Sequence, residues 1–185
     1  MEKINLLTER LTVRELTYTD AAFILRLLNE PSFIDNIADK GVRNLDDAKN
    51  YLLAGPLASY KNYGFGLFRV GLREDDTVIG IAGLLKRDFL DDVDLGYALL
   101  PEFCGFGYAY EVNSALLDYA KTKIVLKTVV AIVTPNNNRS IKLLRKLGFH
   151  ADGTISYPDD NEILNLYRIN LTWHLLKSKP GFYPV

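Results

Sequence analysis

The 185-residue sequence predicts an α+β fold in which helices flank a mixed β-sheet. Three apolar segments between residues 64 and 100 follow one another with short turns, as in an antiparallel meander. Apolar residues recur at helical spacing in four other segments. The β-branched run 127–133 is apolar on both faces, which indicates a strand buried inside the sheet.

The chain is expected to begin with a strand and two helices. Apolar and polar residues alternate over 6–15, which is typical of a half-buried strand. Thr19-Asp20 is a helix start signal, and Pro31 is expected to end that helix and begin an irregular loop. A second helix begins at Leu45 and is interrupted or ended at Gly55-Pro56.

The rest of the chain supplies the meander and then alternates helices with strands. Its expected elements are strands 64–72, 78–85 and 93–100, a helix from about 108 to 121, strand 127–133, a short helix stopped by Gly148, a strand from Phe149, and a last strand 165–173. The predicted order is therefore β-α-α-β-β-β-α-β-α-β-β, with seven strands in total.

Composition excludes several classes of protein. The net charge of −1 argues against a nucleic-acid surface, and 48% hydrophobic residues can fill a sizeable core. A single cysteine excludes an internal disulfide and suits a reducing compartment. With no signal peptide or membrane-spanning run, we expect a cytoplasmic protein that contacts no membrane, with one domain over 1–176 and a tail over 177–185.

A glycine turn between a strand and a helix is the main functional signal. The strand ends at Leu100, Gly105 and Gly107 cross a turn, and a helix opens at Tyr108. The first amides of a helix lack partners within it and attract anions, so the expected ligand is a phosphate or diphosphate. A Walker A loop would end in Lys-Ser/Thr, and a dinucleotide fingerprint needs a third glycine where Tyr110 stands.

Three segments resemble one family. The turn 104–109, Cys-Gly-Phe-Gly-Tyr-Ala, resembles the coenzyme A loop of GNAT-type N-acetyltransferases, especially the RimJ/RimL-like ribosomal-protein N-terminal acetyltransferases. Cys104 stands where that family usually has Gln, Arg or Trp. The segment 137–149, Asn-x-x-Ser followed by Lys-Leu-Gly-Phe, and the opening 7–14 resemble the same branch, and they occur in the family's order.

This resemblance implies the GNAT fold, a mostly antiparallel seven-stranded sheet that splays between its fourth and fifth strands. Those strands end at Leu100 and Val133 in this sequence. The implied reaction moves an acetyl group from acetyl-CoA to a primary amine by direct attack in a ternary complex, without a metal. The acceptor amine, a protein N-terminus or a small molecule, and a homodimer are left open. A non-catalytic acyl-CoA-binding or sensor module of the same fold is the alternative.

The resemblance also implies a coenzyme site. Backbone groups of Leu99 and Leu100 would pair with the pantetheine arm, beside Cys104. Since residues 102–119 contain no Lys or Arg, helix and amide dipoles are expected to hold the diphosphate. Those amides belong to Gly105, Phe106, Gly107, Tyr108, Ala109 and Tyr110.

Asn137 and Ser140 are the expected coenzyme contacts after the fifth strand. Asn137 would contact the coenzyme, cap the following helix, or do both. Ser140 resembles the position where a hydroxyl reaches the coenzyme sulfur, to donate a proton to it or only to position it. A backbone donor near Leu99 would stabilise the developing oxyanion.

Two carboxylates are candidates for the base that deprotonates the amine, Asp94 and Glu162. The competing interpretations are a solvated turn-end acid for Asp94 and a surface loop charge for Glu162. Tyr97 is expected near the site but as a core or rim residue. The loops 29–44 and 151–165 are expected to shape the acceptor pocket.

Overall fold

The computed structural model describes residues 4–158 and 161–172. Eight strands in this part of the chain form one sheet in the order β1-β2-β3-β4-β5-β6-β8-β7. The strands are β1 (Asn5–Leu7), β2 (Leu11–Glu15), β3 (Leu67–Leu72), β4 (Val78–Leu85), β5 (Val93–Leu99), β6 (Thr128–Val133), β7 (His150–Ser156) and β8 (Ile163–Asn170).

Helices flank this sheet on both faces. They are α1 (Ala21–Leu28), α2 (Pro31–Asn36), α3 (Leu45–Leu52), α4 (Ala58–Tyr63), α5 (Tyr108–Tyr119) and α6 (Asn138–Lys146). Short 3-10 or π turns lie at Tyr18–Asp20, Leu53–Leu57, Pro101–Phe103 and Ala120–Ile124. None of the helices in the described ranges is long and apolar enough to cross a membrane.

The sheet parts between β5 and β6. These two strands are parallel neighbours, whereas every other neighbouring pair in the described sheet is antiparallel. Their pairing is limited to Val93 with Val129 and Asp94 with Val130, although β5 continues to Leu99 and β6 to Val133. The predicted splay is therefore confirmed, and it opens towards the carboxyl ends of both strands.

The predicted first strand is divided in two, which raises the strand count from the expected seven to eight. Residues 8–10 form a turn between β1 and β2. Thr8 stabilises this turn, because its amide donates to the Leu11 carbonyl at 2.9 Å and its Oγ1 accepts from the Leu11 amide at 2.9 Å. Residues 8–10 are Thr-Glu-Arg, and the absence of Gly or Pro among them leaves the turn without its usual local signal.

A second correction concerns the loop expected after Pro31. This residue ends α1 as predicted, but it also begins α2. Proline suits a first helical position, because its fixed φ is helical and its missing N–H would have no partner there. The predicted last strand, 165–173, is instead β8, and Trp173 lies outside the described residues, as does the boundary expected at 176/177.

Two apolar clusters hold the helices on the sheet. On one face, Phe68 and Ala82 of β3 and β4 belong to the same cluster as Val112 and Leu116 of α5. On the other face, Ile81 belongs to a cluster formed largely by α1, α2 and α3. Side chains that are adjacent along a strand point to opposite faces, so β5 presents Tyr97 and Leu99 to the α5 side and Ala98 to the α1 side.

Candidate active site

The glycine turn joins β5 to α5 by way of a short 3-10 turn. Gly105 has φ +93° and Gly107 has φ +86°, and Gly107 is the residue before the first turn of α5. Both values lie in the left-handed region, which glycine adopts at low cost and other residues rarely do. The backbone conformation here therefore requires the two glycines that the sequence places in the turn.

The amides of the turn have no acceptors in the described structure. In residues 4–158 and 161–172, no backbone or side-chain oxygen accepts a hydrogen bond from the N–H groups of residues 105–110. The first helical bond of α5 runs from the Glu111 amide to the Gly107 carbonyl, at 3.1 Å. No atom lies within 4 Å of the place where a Cβ on Gly105 would stand. The mouth of α5 is therefore an open group of donors at the positive end of a helix.

The sequence around the glycine turn contains no Lys or Arg, but the fold places two cationic side chains from other elements beside the N-terminus of α5. Arg10, in the β1–β2 turn, donates from Nη1 to the Phe106 carbonyl at 3.0 Å. Lys146, at the end of α6, places Nζ 4.4 Å from the centre of the Tyr110 ring. Both cations add positive charge beside the helix mouth.

A cavity of about 230 Å³ occupies the gap between β5 and β6. It is lined from the α5 side by Tyr97 and Ser140 and from the α1 side by Asp94 and Arg87. The cavity therefore passes through the sheet, and groups that approach from opposite faces meet in it.

Backbone groups of β5 face this cavity in alternation. The Leu100 amide donates to the Ile79 carbonyl at 2.9 Å, and the Leu100 carbonyl accepts from the Phe103 amide at 3.0 Å. The Leu100 amide is therefore bonded to β4 and its carbonyl to the 3-10 turn, so Leu99 is the better placed of the two expected pantetheine contacts. Since successive strand amides point in opposite directions, those of Tyr97 and Leu99 are directed towards the gap.

Tyr97 and Ser140 are joined across the cavity. The Tyr97 hydroxyl donates to Ser140 Oγ at 2.9 Å. Burial raises the pKa of Tyr97, although the Ser140 hydrogen bond acts in the opposite direction. Asn137 Oδ1 accepts from the Ser140 amide at 3.0 Å, so Asn137 caps α6 as one of the two sequence-based interpretations predicted. Asn137 also lines the cavity.

Asp94 is buried, which contradicts its interpretation as a solvated turn-end acid. Its exposure is 1% and its Oδ2 accepts from Arg87 Nε at 2.7 Å. No donor in the described part of the chain bonds to Asp94 Oδ1. Burial raises the pKa of Asp94, and the Arg87 guanidinium and the Ile132 backbone amide oppose that shift only in part.

The second candidate base, Glu162, lies at the rim of the same cavity. It immediately precedes β8, and its carbonyl accepts from the Tyr157 amide at 2.8 Å in the turn between β7 and β8. Cys104 also lines the cavity. Sequence analysis did not identify Arg87. The β4–β5 register pairs Leu85 with Asp94, and this pairing brings Arg87, two residues further along the chain, next to Asp94.

Removing Arg87 is expected to make stability more sensitive to pH. The folded-state pKa of Asp94 lies above 3.8, so the folded chain binds more protons than the unfolded chain between 3.8 and that pKa. Stability falls as pH rises through this range. Arg87→Met removes the positive charge that lowers the folded-state pKa of Asp94, so this pKa rises and stability continues to fall up to a higher pH. We expect a small cost near pH 4 and about 3 kcal/mol near pH 8, measured by urea unfolding.

Arg168→Met is the matched control, because Arg168 pairs with Asp92 and Asp152 at partly exposed sites. Its cost is expected to vary little between pH 5 and 8. An Arg87→Met cost that is the same at both ends of the pH range would contradict this account of the Asp94 environment.

Comparison with known proteins places the chain. Residues 10–150 match the family model described as the acetyltransferase (GNAT) domain. An uncharacterized N-acetyltransferase p20 of Bacillus licheniformis is 29% identical over 151 residues, which cover 81% of this chain and 84% of that protein.

Solved structures agree with this match. The acetyltransferase of Agrobacterium tumefaciens str. C58 superposes with a TM-score of 0.77 at 27% identity and covers 92% of this chain and 96% of its own. RimL, a ribosomal L7/L12 α-N-protein acetyltransferase solved with coenzyme A, shares the fold with a TM-score of 0.78 at 15% identity, covering 91% of this chain and 98% of its own. The chain belongs to the GNAT acetyltransferases, enzymes that acetylate amines with acetyl-CoA.

Proposed function

We propose that this enzyme transfers the acetyl group of acetyl-CoA directly to a primary amine, a protein N-terminus or a small molecule, within a ternary complex. The observation that supports this most is the cavity through the sheet, which contains a hydroxyl pair from one face and a buried carboxylate from the other. A donor and an acceptor that enter from opposite faces would meet there without a covalent enzyme intermediate.

The coenzyme diphosphate would bind to the open amides of residues 105–110. Hydrogen bonds to a charged group contribute about 1.5–3 kcal/mol each, so a few of them account for micromolar affinity after ordering costs. The pantetheine arm would then follow β5 and pair with Leu99. Asn137 and Cys104 would border its path, since both line the cavity.

Asp94 is the base that the geometry favours. Its Oδ1 has no donor in the described structure, it faces the cavity, and its raised pKa lies closer to the working pH than that of an ordinary aspartate. It would take the proton of the acceptor ammonium directly or through water. Glu162, at the cavity rim, would attract the ammonium by its charge.

Ser140 would pass its hydroxyl proton to the departing thiolate and take the Tyr97 hydroxyl proton in its place, and solvent would reprotonate Tyr97 as the products leave. Because Tyr97 donates to Ser140 Oγ, the serine's own hydrogen is left to point into the cavity. The amide of Tyr97 or Leu99 that faces the gap would stabilise the oxyanion of the tetrahedral intermediate. Each group thereby acts on a different atom of the reacting thioester.

The acceptor pocket would be formed by α2 and the β7–β8 turn, as the loops 29–44 and 151–165 predict. Phe33, Ile37 and Tyr157 line this end of the cavity. A ribosomal-protein N-terminus, the acceptor implied by the RimJ/RimL-like motifs, is one candidate. An acceptor screen with N-terminal peptides, amino acids and polyamines distinguishes the classes.

Gly107→Asp is expected to weaken acetyl-CoA binding at least tenfold, because a carboxylate would stand where the diphosphate binds. Isothermal titration calorimetry measures this change. Gly153→Asp is the matched control, since Gly153 also has positive φ, +102°, and no described residue beyond its chain neighbours has a heavy atom within 4 Å of its Cβ position. Both variants should lose similar thermal stability, and an unchanged affinity in Gly107→Asp would remove the diphosphate site.

Substitutions in the cavity are expected to lower kcat when thiol release is measured with a reactive amine. Asp94→Asn should reduce kcat about 100-fold, and the decrease of kcat at acid pH that the unmodified enzyme shows should disappear. Glu162→Gln should mainly raise KM for the amine. Tyr97→Phe and Ser140→Ala should each lower kcat, and their double variant should lose little more.

Tyr119→Phe serves as a control outside the cavity. Acetyl-CoA should stay intact without an amine, as direct transfer requires. Coenzyme binding without thiol release for any acceptor in the screen would favour the binding or sensor module instead.

A further inference from the structure

We propose that Arg10 is a positioning residue that holds the glycine turn in the conformation that binds the diphosphate. This inference rests on the proposed role of the amides of residues 105–110. Arg10 belongs to the β1–β2 turn, far from the turn in sequence, and no part of the proposed chemistry uses it.

One end of this contact is the Glu111 carboxylate in the first turn of α5. Arg10 Nε and Nη2 both lie 2.7 Å from Glu111 Oε2. The Arg10 amide donates to Oε1 at 2.8 Å, and Thr8 Oγ1 donates to Oε1 at 2.6 Å. Four donors from one hairpin turn therefore fix the start of the helix to the edge of the sheet.

The other end of the contact is the glycine turn itself. Arg10 Nη1 donates to the Phe106 carbonyl at 3.0 Å, and the guanidinium carbon lies 4.6 Å from the centre of the Tyr108 ring. Nη2 lies 3.5 Å from the place where a Cβ on Gly107 would stand. A single guanidinium thus contacts Phe106 and Tyr108, which lie on either side of Gly107, as well as Glu111.

A turn with two positive-φ glycines needs such a contact. Glycine has the largest backbone freedom of any residue, and among the described residues other than its chain neighbours no heavy atom lies within 4 Å of the Cβ position on Gly105 to restrict it. Without Arg10, the turn would lose conformational entropy when the coenzyme binds, and this cost would weaken coenzyme affinity. With Arg10, the amides are held in place before the ligand arrives.

The guanidinium shape matters as much as its charge. A planar fork can donate to Glu111 and Phe106 at once while it lies over an aromatic ring, whereas a lysine ammonium is a point charge on a flexible stem. Glu111 stays ionised at neutral pH: burial raises its pKa, but the hydrogen bonds from Thr8 and Arg10 outweigh burial and leave the pKa below its ordinary value.

The test is the affinity for coenzyme A of Arg10→Met, Arg10→Lys, Glu111→Gln and the Arg10→Met/Glu111→Gln double variant, measured by calorimetry. Each single variant should raise Kd about tenfold, and the double variant should raise it little further. At saturating acetyl-CoA, kcat should not change. Turnover of S-acetyl-pantetheine, which lacks the diphosphate, should also be unaffected.

Glu111→Gln separates positioning from direct ligand contact. If Arg10 binds the diphosphate itself, removing its competing anion leaves affinity unchanged or improves it, and that result overturns the proposal. Arg168→Met controls for loss of a surface arginine with two ion pairs, and it should lower the melting temperature without changing Kd. An equal change in Kd for Arg168→Met and Arg10→Met also overturns the proposal.

Gly107→Asp, measured in the same series, distinguishes the two levels of failure. If Gly107→Asp weakens binding but the Arg10 and Glu111 variants do not, only the positioning role is wrong. If Gly107→Asp leaves Kd unchanged, the diphosphate site itself is wrong.

Discussion

The divergence of two parallel strands is the constraint on which this enzyme depends. Beyond Asp94 and Val130, β5 and β6 no longer pair, so their inner backbone groups lack the partners that strands normally provide. The same end of β5 leads into α5, whose first amides have no hydrogen-bond acceptor in the part of the chain that the structure describes. A thioester coenzyme carries amides along its arm and a diphosphate at its far end. It therefore offers hydrogen-bonding groups for both sets of unused backbone groups, and its reactive carbonyl would lie in the gap.

Local signals predicted most of the fold. The meander strands, the start of α5 and the buried run of β6 depend on turns, glycines and apolar periodicity within about ten residues, and the structure has them close to the expected bounds. The errors arose where a local pattern is ambiguous. The turn at residues 8–10 contains no Gly or Pro to mark it, and Pro31, which follows the end of one helix, begins another.

The site was predicted less completely, for a different reason. The positive φ of Gly105 and Gly107 can be predicted from the local sequence, because glycine is the residue type that adopts this conformation most readily. The environment of Asp94 is decided instead by the β4–β5 register and by Arg87, so its sequence context could not distinguish a solvated carboxylate from a buried one. Arg10 is 101 positions from Glu111, and only the completed sheet brings its charge to a turn that has none of its own.

Titration of the ¹⁵N-labelled protein with coenzyme A, followed amide by amide in ¹H–¹⁵N correlation spectra, tests the central claim most directly. The resonances of the amides of residues 105–110 should shift together along one binding curve. Pantetheine, which lacks the diphosphate, should not shift them. Shifts confined to α6, whose exposed basic residues are Arg139, Lys142, Arg145 and Lys146, with those six amides unmoved at saturation, would contradict the claim that unbonded backbone donors hold the diphosphate.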